Sequence, residues 1–252
     1  MFDAGDYVVG AVAGLIVGLS KTALPGAGLL ATPLLATVFS GRLIAGGTLP
    51  ILLAADLFAV RWYRHSTRWD LLRPLAIWVA LGFAAGATFY VVVGKADRTI
   101  EVVIGVCILV VVVMQAYRML RASPPVEPSA GAAALYGSAG GFTTFVSNNA
   151  GPIMNAYLLR LGLGKAELVG TSAWFYFAVN LAKIPVYAAL SWWSDGGSFF
   201  TWPSLGFAAA CLPAVAVGVF GGRALFDHIP QTIFRWAVVV LSGVAAVRLL
   251  IG

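Results

Sequence analysis

Long apolar runs separated by short polar stretches dominate this chain. The runs fall at 7–23, 26–40, 43–62, 71–93, 99–118, 131–147, 151–163, 166–190, 203–224 and 230–251. Several approach the roughly 20 residues that an α-helix needs to cross the hydrocarbon core of a bilayer. Only helices and closed barrels satisfy their backbone groups in lipid, and these runs are too continuous for alternating barrel strands. The pattern therefore predicts an all-α, polytopic helical membrane protein.

One polar stretch near the middle of the chain interrupts this pattern. Residues 121–130 contain three prolines, two serines and two charged side chains. Proline fixes φ and removes a backbone donor, so such a stretch is typical of a linker. We therefore predict a first membrane unit over 1–120, a cytoplasmic linker over 121–130 and a second membrane unit over 131–252, with five apolar segments in each unit.

The two units share landmarks at a nearly constant spacing. A shift of about 123 residues superposes Gly14 on Gly137, Gly18 on Gly141, Gly28 on Gly151 and Gly47-Thr48 on Gly170-Thr171, and one further inserted residue superposes Asp56 on Asn180. An odd number of segments makes the second copy enter the membrane from the opposite side. The sequence thus predicts two inverted repeats, an architecture typical of secondary transporters that bind substrate near the bilayer midplane.

The basic residues supply a separate indication of topology. With a cytoplasmic linker, the residues on the cytoplasmic side are Arg61, Arg64, Arg68, Arg73, Arg118, Arg121, Arg160, Lys165, Arg223 and Arg235; those on the other side are Arg42, Lys95, Arg98 and Arg248. Short cytoplasmic loops carry an excess of Lys and Arg, so this orientation is favoured. It places both termini outside the cytoplasm. A cleaved signal peptide begins with a positively charged region, whereas this N-terminus carries Asp3 and Asp6. We therefore expect the first helix to remain in the mature protein.

Composition and motifs narrow the class of function. Hydrophobic residues make up 60% of the chain and charged residues 10%, whereas roughly a quarter of the residues of a soluble domain are charged. The topology accounts for the net charge of +6, and nucleic acid is not expected as a partner. Cys107 and Cys211 lie inside apolar runs and predict neither a disulfide nor a metal site. The chain contains no nucleotide loop and no nucleophile elbow, so we expect no enzyme, cofactor or metal.

The first two apolar segments of each unit are short and joined by a Gly- or Pro-containing breaker with almost no polar loop. The breakers cover 20–28 and 143–152. Paired segments of this kind at corresponding positions are the best sequence indication of a transporter's binding site. Segment length leaves two alternatives open: each pair crosses the membrane fully, or it turns back as a re-entrant hairpin.

The breakers are suited to binding an anion. Pro25 and Pro152 fit the start of a following helix, where the missing N–H costs nothing. Such a helix start has unpaired N–H groups and the positive end of the helix dipole. The residues predicted to bind substrate are Ser20, Lys21, Thr22, Pro25, Gly26, Gly28, Thr143, Thr144, Ser147, Asn148, Asn149 and Gly151.

Three ionisable residues lie deep in apolar runs: Lys21, Asp56 and Lys183. A charge at mid-membrane costs about 2.5–3.5 kcal/mol, so it usually faces a partner or a watery cavity. We predict that Asp56, Asn180 and Lys183 serve in charge pairing or in proton coupling. The alternatives are that Asp56 only neutralises a lysine and locks two helices together, and that Lys21 snorkels to an interface. Two lysines against one carboxylate leave a net positive interior, which suits an anion.

These residues resemble the sulfite exporter TauE/SafE family. The similarity is carried by Gly18-Leu-Ser-Lys-Thr-Ala-Leu-Pro-Gly-Ala-Gly28, Pro33-Leu-Leu, Leu49-Pro50, Ala55-Asp56-Leu57, Tyr63-Arg64, Trp69, Gly170-Thr171, Asn180-Leu181 and Lys183. Ala23 stands where that run would have a glycine. The resemblance implies a protein of the bacterial inner membrane that moves sulfite, or small organosulfonate or carboxylate anions. The expected activity is secondary transport by alternating access; an anion channel, or a membrane-embedded enzyme or assembly factor, is the alternative.

Overall fold

A computed structural model describes residues 2–23, 27–120 and 127–225 of the chain, together with positions 240, 247, 250 and 251. The described part consists of helices and contains no strand. Its α-helices are α1 (Ala4–Thr22), α2 (Ala31–Leu35), α3 (Arg42–Tyr63), α4 (Trp69–Leu72), α5 (Ala76–Val93), α6 (Asp97–Leu120), α7 (Ala130–Ser147), α8 (Gly151–Arg160), α9 (Lys165–Trp193) and α10 (Trp202–Leu225). Short 3₁₀ turns at Ala27–Leu30, Arg64–Ser66 and Arg73–Leu75 precede or join α2, α4 and α5.

Length and apolar composition make several of these helices suitable for crossing a membrane. Five helical stretches qualify among the described residues: Ala4–Thr22, Arg42–Ser66, Trp69–Val93, Ala166–Trp193 and Trp202–Ala224. Bulky apolar side chains cover their outer surfaces; Val92, for example, is 79% exposed. A soluble protein rarely leaves so many large apolar side chains in water, whereas lipid accepts them. The prediction of an all-helical, multi-pass membrane protein is confirmed.

The helices on either side of the two breakers differ in length. The helices before the breakers, α1 and α7, have 19 and 18 residues. At 1.5 Å per residue each is about 28 Å long, close to the thickness of the hydrocarbon core. The helices after the breakers are short, with five residues in α2 and ten in α8. All four helices are thus shorter than 20 residues, and those after the breakers are much shorter than those before them.

Two helix pairs pack along each other more extensively than any others among the described residues. Helix α1 lies along α10, and α7 lies along α5. Glycines allow the approach: a Cβ on Gly18 of α1 would come within 2.4 Å of the Val215 carbonyl oxygen of α10, and one on Gly141 of α7 within 2.5 Å of the Val79 carbonyl oxygen of α5. Small residues that bring two backbones together are a principal source of helix association in lipid. Each pair thus joins a helix of one predicted unit to a helix of the other.

Helices α3 and α9 pack against each other, and a buried arginine anchors the N-terminal end of α3. The Arg42 guanidinium donates through Nη2 to the Tyr90 carbonyl oxygen at 2.5 Å, and through Nη1 to Ser194 Oγ at 2.5 Å and the Gly197 carbonyl oxygen at 3.2 Å. Its side chain also lies over the ring of Phe199. Arg42 therefore ties α3 to the end of α5 and to the connection between α9 and α10.

Candidate functional site

An ion pair joins the end of α1 to the middle of α3. Lys21 Nζ lies 2.7 Å from Asp56 Oδ1, and the Asp56 side chain is completely buried. The Lys21 ammonium also lies 4.0 Å from the centre of the Tyr176 ring. A carboxylate and the face of an aromatic ring both attract an ammonium group. Lys21 is therefore held between a carboxylate and an aromatic ring at the place where α1 ends.

Polar side chains of α9 continue this cluster on the other side of Asp56. Asn180 Nδ2 donates to Asp56 Oδ2 at 2.6 Å, and Asn180 Oδ1 lies 2.9 Å from Lys183 Nζ. Lys183 Nζ also lies 2.9 Å from Thr144 Oγ1 and 2.7 Å from Asn148 Oδ1. The chain Lys21–Asp56–Asn180–Lys183 thus links both breakers across the contact between α3 and α9.

The C-terminal end of α7 is stabilised by side chains from other helices. A helix end has carbonyl groups without helical partners, and in a membrane interior these groups need donors. The hydroxyls of Tyr187, Tyr90 and Thr32 donate to the carbonyl oxygens of residues 145, 146 and 147, the last two at 2.9 and 3.0 Å. Asn148 then takes a left-handed conformation, with φ of 58°, and ends the helix. The second breaker is accordingly fixed in place by three helices.

A cavity of about 50 Å³ lies between the two breakers. Its wall consists of Val17, Ser20, Lys21, Gly28, Leu29, Leu52, Thr144, Asn148, Asn149, Gly151, Asn155, Val169, Ser172, Ala173, Tyr176 and Asn180. A buried water needs roughly 10–15 Å³, so the space holds about four waters or one anion of about four heavy atoms. The wall includes the Lys21 ammonium and the N-terminal residue of α8, Gly151, and both features favour negative charge.

Two polar atoms of the cavity wall have no hydrogen-bond partner within the described structure. They are Asn155 Oδ1 on α8 and Ser172 Oγ on α9, and both side chains are only 5% exposed. Buried polar atoms are almost always paired with protein or water, because an unpaired one costs about 1–3 kcal/mol. A polar occupant of the cavity would satisfy them. Tyr176, in contrast, donates its hydroxyl to the Gly151 carbonyl oxygen at 3.2 Å and presents its ring.

The predicted site residues separate into three groups. Those that line the cavity are Ser20, Lys21, Gly28, Thr144, Asn148, Asn149, Gly151 and Asn180; Asp56 and Lys183 lie directly behind its wall. Thr22, Thr143 and Ser147 do not line it. The Thr22 hydroxyl lies 3.1 Å from the carbonyl oxygens of Gly18 and Val219, and Ser147 Oγ donates to the Thr143 carbonyl oxygen. Pro25 and Gly26 lie outside the described residues.

Sequence analysis missed three polar residues of the wall: Asn155, Ser172 and Tyr176. A signal for Asn155 was present, because the offset of 123 superposes it on Thr32, another polar residue in the short helix after a breaker. Ser172 follows the repeated Gly170-Thr171 pair directly. Tyr176 lies one helical turn before Asn180 on the same face of α9.

Comparison with known proteins places this chain in a family. The sequence profile described as sulfite exporter TauE/SafE matches residues 10–249. The chain belongs to the sulfite exporter TauE/SafE family. The match spans both breakers and the whole Lys21–Asp56–Asn180–Lys183 cluster, so the resemblance seen in the sequence is confirmed. No curated protein and no solved structure matches the chain. TauE/SafE proteins are membrane transporters, which gives this chain its general class.

Proposed function

We propose that this TauE/SafE protein is a secondary transporter that carries one small anion, sulfite or a small organosulfonate, through the cavity between its breakers. The observation that carries the proposal is the wall of that cavity. It combines the Lys21 ammonium, the start of α8 and the unpartnered Ser172 hydroxyl within a space sized for a small anion. An oxyanion would accept from Lys21 and from the Ser172 hydroxyl.

The charge balance behind the wall supports an anionic substrate. Lys21 and Asp56 neutralise each other at 2.7 Å, while every hydrogen-bond partner of Lys183 is neutral. A charged Lys183 therefore gives the cluster an excess of one positive charge. Long-range attraction is strong in a medium of low dielectric constant, so this excess favours an anion in the adjoining cavity.

The packing of the helices supports alternating access through two inverted repeats. The α1–α10 and α7–α5 pairs are reciprocal: the first helix of each unit packs on a late helix of the other. Gly18 and Gly141, which make these contacts, are superposed by the offset of 123. A bundle built this way can rock about a central site, as inverted-repeat transporters do. The short helices α2 and α8 favour re-entrant segments, since neither can cross the bilayer alone.

Flux through proteoliposomes tests the proposal. We expect saturable counterflow of sulfite or methanesulfonate, in which a gradient of unlabelled anion drives the uptake of labelled anion. Rapid flux that does not saturate would instead indicate the channel alternative. Absence of both flux and binding across sulfite, sulfonates, sulfate and short carboxylates would refute an anion site in this cavity.

We propose further that the protein lies in the bacterial inner membrane with both termini outside the cytoplasm. The support is the distribution of basic residues about the linker. A C-terminal fusion to a reporter that is active only in the cytoplasm should be silent, whereas the same reporter inserted in the linker should be active. The opposite pair of results would reverse the orientation.

A further inference from the structure

The hydrogen-bond partners of Lys183 suit a neutral amine as well as an ammonium. Asn148 Nδ2 donates to the Ala45 carbonyl oxygen at 2.9 Å, and Asn180 Nδ2 donates to the Asp56 carboxylate, so both amides must direct their oxygens at Lys183. The third partner, the Thr144 hydroxyl, can accept or donate. An ammonium would donate to all three oxygens. A neutral amine would donate to the two amides and accept from Thr144.

Asp56, in contrast, has partners that suit the carboxylate. Both oxygens of Asp56 face groups that only donate: the Lys21 ammonium and the Asn180 amide nitrogen. A protonated carboxyl would turn its O–H toward one of these donors and lose that interaction. Of Asp56 and Lys183, it is therefore Lys183 that can gain or lose a proton without losing a hydrogen bond.

Electroneutrality couples this proton to the anion. With Lys183 neutral, the Lys21–Asp56 pair leaves the cluster without net charge; an anion alone would make it negative, and a proton alone would make it positive. A net charge deep in a membrane protein costs at least about 2.5–3.5 kcal/mol. Uptake of one proton together with one monovalent anion leaves the cluster neutral and avoids both costs. Each should therefore strengthen the binding of the other.

A path for the proton is present in the wall. The Thr144 side chain lines the cavity, and its hydroxyl lies 2.9 Å from Lys183 Nζ. A cavity water that carries an excess proton can pass it to the Thr144 oxygen while the hydroxyl hydrogen moves to the Lys183 lone pair, and the water is left neutral. The transfer leaves Thr144 unchanged and Lys183 charged. The amine itself, 0% exposed, need not contact water directly.

The surroundings of Lys183 contain few competing titratable groups. Asp56 of α3 and Lys21 of α1 are the charged groups that act on it. Nearby tyrosines on α9 and α5 (Tyr176, Tyr187 and Tyr90) all donate to main-chain carbonyl oxygens. In the described residues, α7 offers Lys183 only the neutral Thr144 and Asn148. The basic turn after α3, with Arg64 and His65, begins eight residues, or about 12 Å, beyond Asp56.

We propose that Lys183 is the proton-binding group of this transporter and takes up one proton each time the cavity binds a monovalent anion. The inference rests on the anion site proposed above and adds the identity of the coupled ion and of the residue that carries it. It also assigns different roles to the two candidates for coupling: Asp56 stays a carboxylate that holds Lys21 and Asn180, and Lys183 titrates.

Calorimetric titration of the purified full chain with methanesulfonate tests this directly. Methanesulfonate keeps one charge throughout about pH 6–9, so any proton taken up belongs to the protein. Comparing buffers of different ionisation enthalpy gives the protons bound per anion. We expect uptake that approaches one proton and an affinity that falls by up to about tenfold per pH unit where Lys183 of the empty protein is neutral. Binding without proton uptake over this range would overturn the inference and leave the anion site standing; absence of binding would overturn both.

Two variants locate the proton. Lys183→Arg carries a guanidinium that stays charged, and Lys183→Met carries no titratable group, so neither should take up a proton when methanesulfonate binds. The Met variant should bind more weakly, because the anion then leaves the cluster with a net negative charge; it serves as the second test if the longer Arg side chain does not fold. Uptake that survives in these variants would place the proton elsewhere.

Discussion

Arg42 and Lys183 are both buried basic residues, but their hydrogen-bond partners are of different kinds. Two of the three oxygens bound by Arg42 are main-chain carbonyls, those of Tyr90 and Gly197. Among the described residues, the three hydrogen bonds of Lys183 go to side chains, those of Thr144, Asn148 and Asn180, and all three residues belong to the wall of the cavity. Arg42 joins segments of backbone, whereas Lys183 is bound by side chains that would also contact a ligand in the cavity.

The difference indicates which buried charges hold the fold and which serve the site. A guanidinium stays charged and presents a rigid fork of donors, so it suits fixed acceptors such as carbonyl oxygens. A lysine amine changes its protonation state more readily, and amides and hydroxyls tolerate both states. Replacing Arg42 should therefore lower the stability of the fold, whereas replacing Lys183 should change anion binding.

Replacing Arg42 tests the structural half of the comparison and has the largest expected effect on stability. Arg42→Met keeps most of the side-chain volume but removes all three hydrogen bonds of the guanidinium. At about 1 kcal/mol for each lost hydrogen bond, we expect a loss of about 3 kcal/mol and a melting temperature lowered by roughly 5–10 °C. Thermal unfolding in detergent measures it.

Arg64→Met is the matched control, because Arg64 is exposed and its loss removes the same charge from the surface. Its stability should change by less than about 0.5 kcal/mol. The anion affinity of folded Arg42→Met protein should equal that of the wild type. A large loss of affinity with little loss of stability would contradict the structural role.

Replacing Lys21 tests the site half of the comparison. Lys21→Ala removes the one cation of the described cavity wall and leaves Asp56, directly behind it, as an unneutralised carboxylate that repels anions. We expect anion binding to fall at least a hundredfold, since a charge-assisted hydrogen bond contributes about 1.5–3 kcal/mol and the repulsion adds to the loss. Isothermal titration with sulfite or methanesulfonate measures it, and gel filtration reports folding.

The double variant Lys21→Ala/Asp56→Asn is the informative control, because it removes both charges of the pair together. It should recover part of the lost affinity, which shows how much of the effect is repulsion. Unchanged affinity in the single variant would remove Lys21 from the site.

Much of the fold, and the two segments between which the candidate cavity lies, could be predicted from the sequence. Apolar run length gives the helices, because a bilayer sets their minimum length. The breakers and the interior Lys21, Asp56 and Lys183 stand out, because glycine, proline and charge are unusual in such runs. Arg42, by contrast, was counted only as a basic residue at a helix end; its burial depends on Tyr90, Ser194 and Gly197, which are distant in sequence.

The side of each helix that faces the cavity could not be predicted. Ser20 lines it, whereas Thr22, two positions away, faces α10. Asn148 lines it, whereas the hydroxyl of the adjacent Ser147 bonds back to its own helix. Neighbouring positions on a helix point in directions about 100° apart, so the rotation of α1 and α7 decides their roles. That rotation is set by packing on α10 and α5, which no local pattern encodes.

Ser172 gives the smallest effect and the sharpest test of what the cavity holds. Its hydroxyl has no partner in the described structure, so Ser172→Ala removes a buried, unpaired polar atom. Stability should stay the same or rise by up to about 1 kcal/mol, while anion affinity falls roughly three- to tenfold through loss of one hydrogen bond. These opposite signs distinguish a ligand contact from a structural one: a hydroxyl that served packing alone would lower stability and leave affinity unchanged. Ser172→Thr, which keeps the hydroxyl, separates loss of the donor from a change of shape. Parallel melting curves with and without methanesulfonate give both quantities from one set of samples.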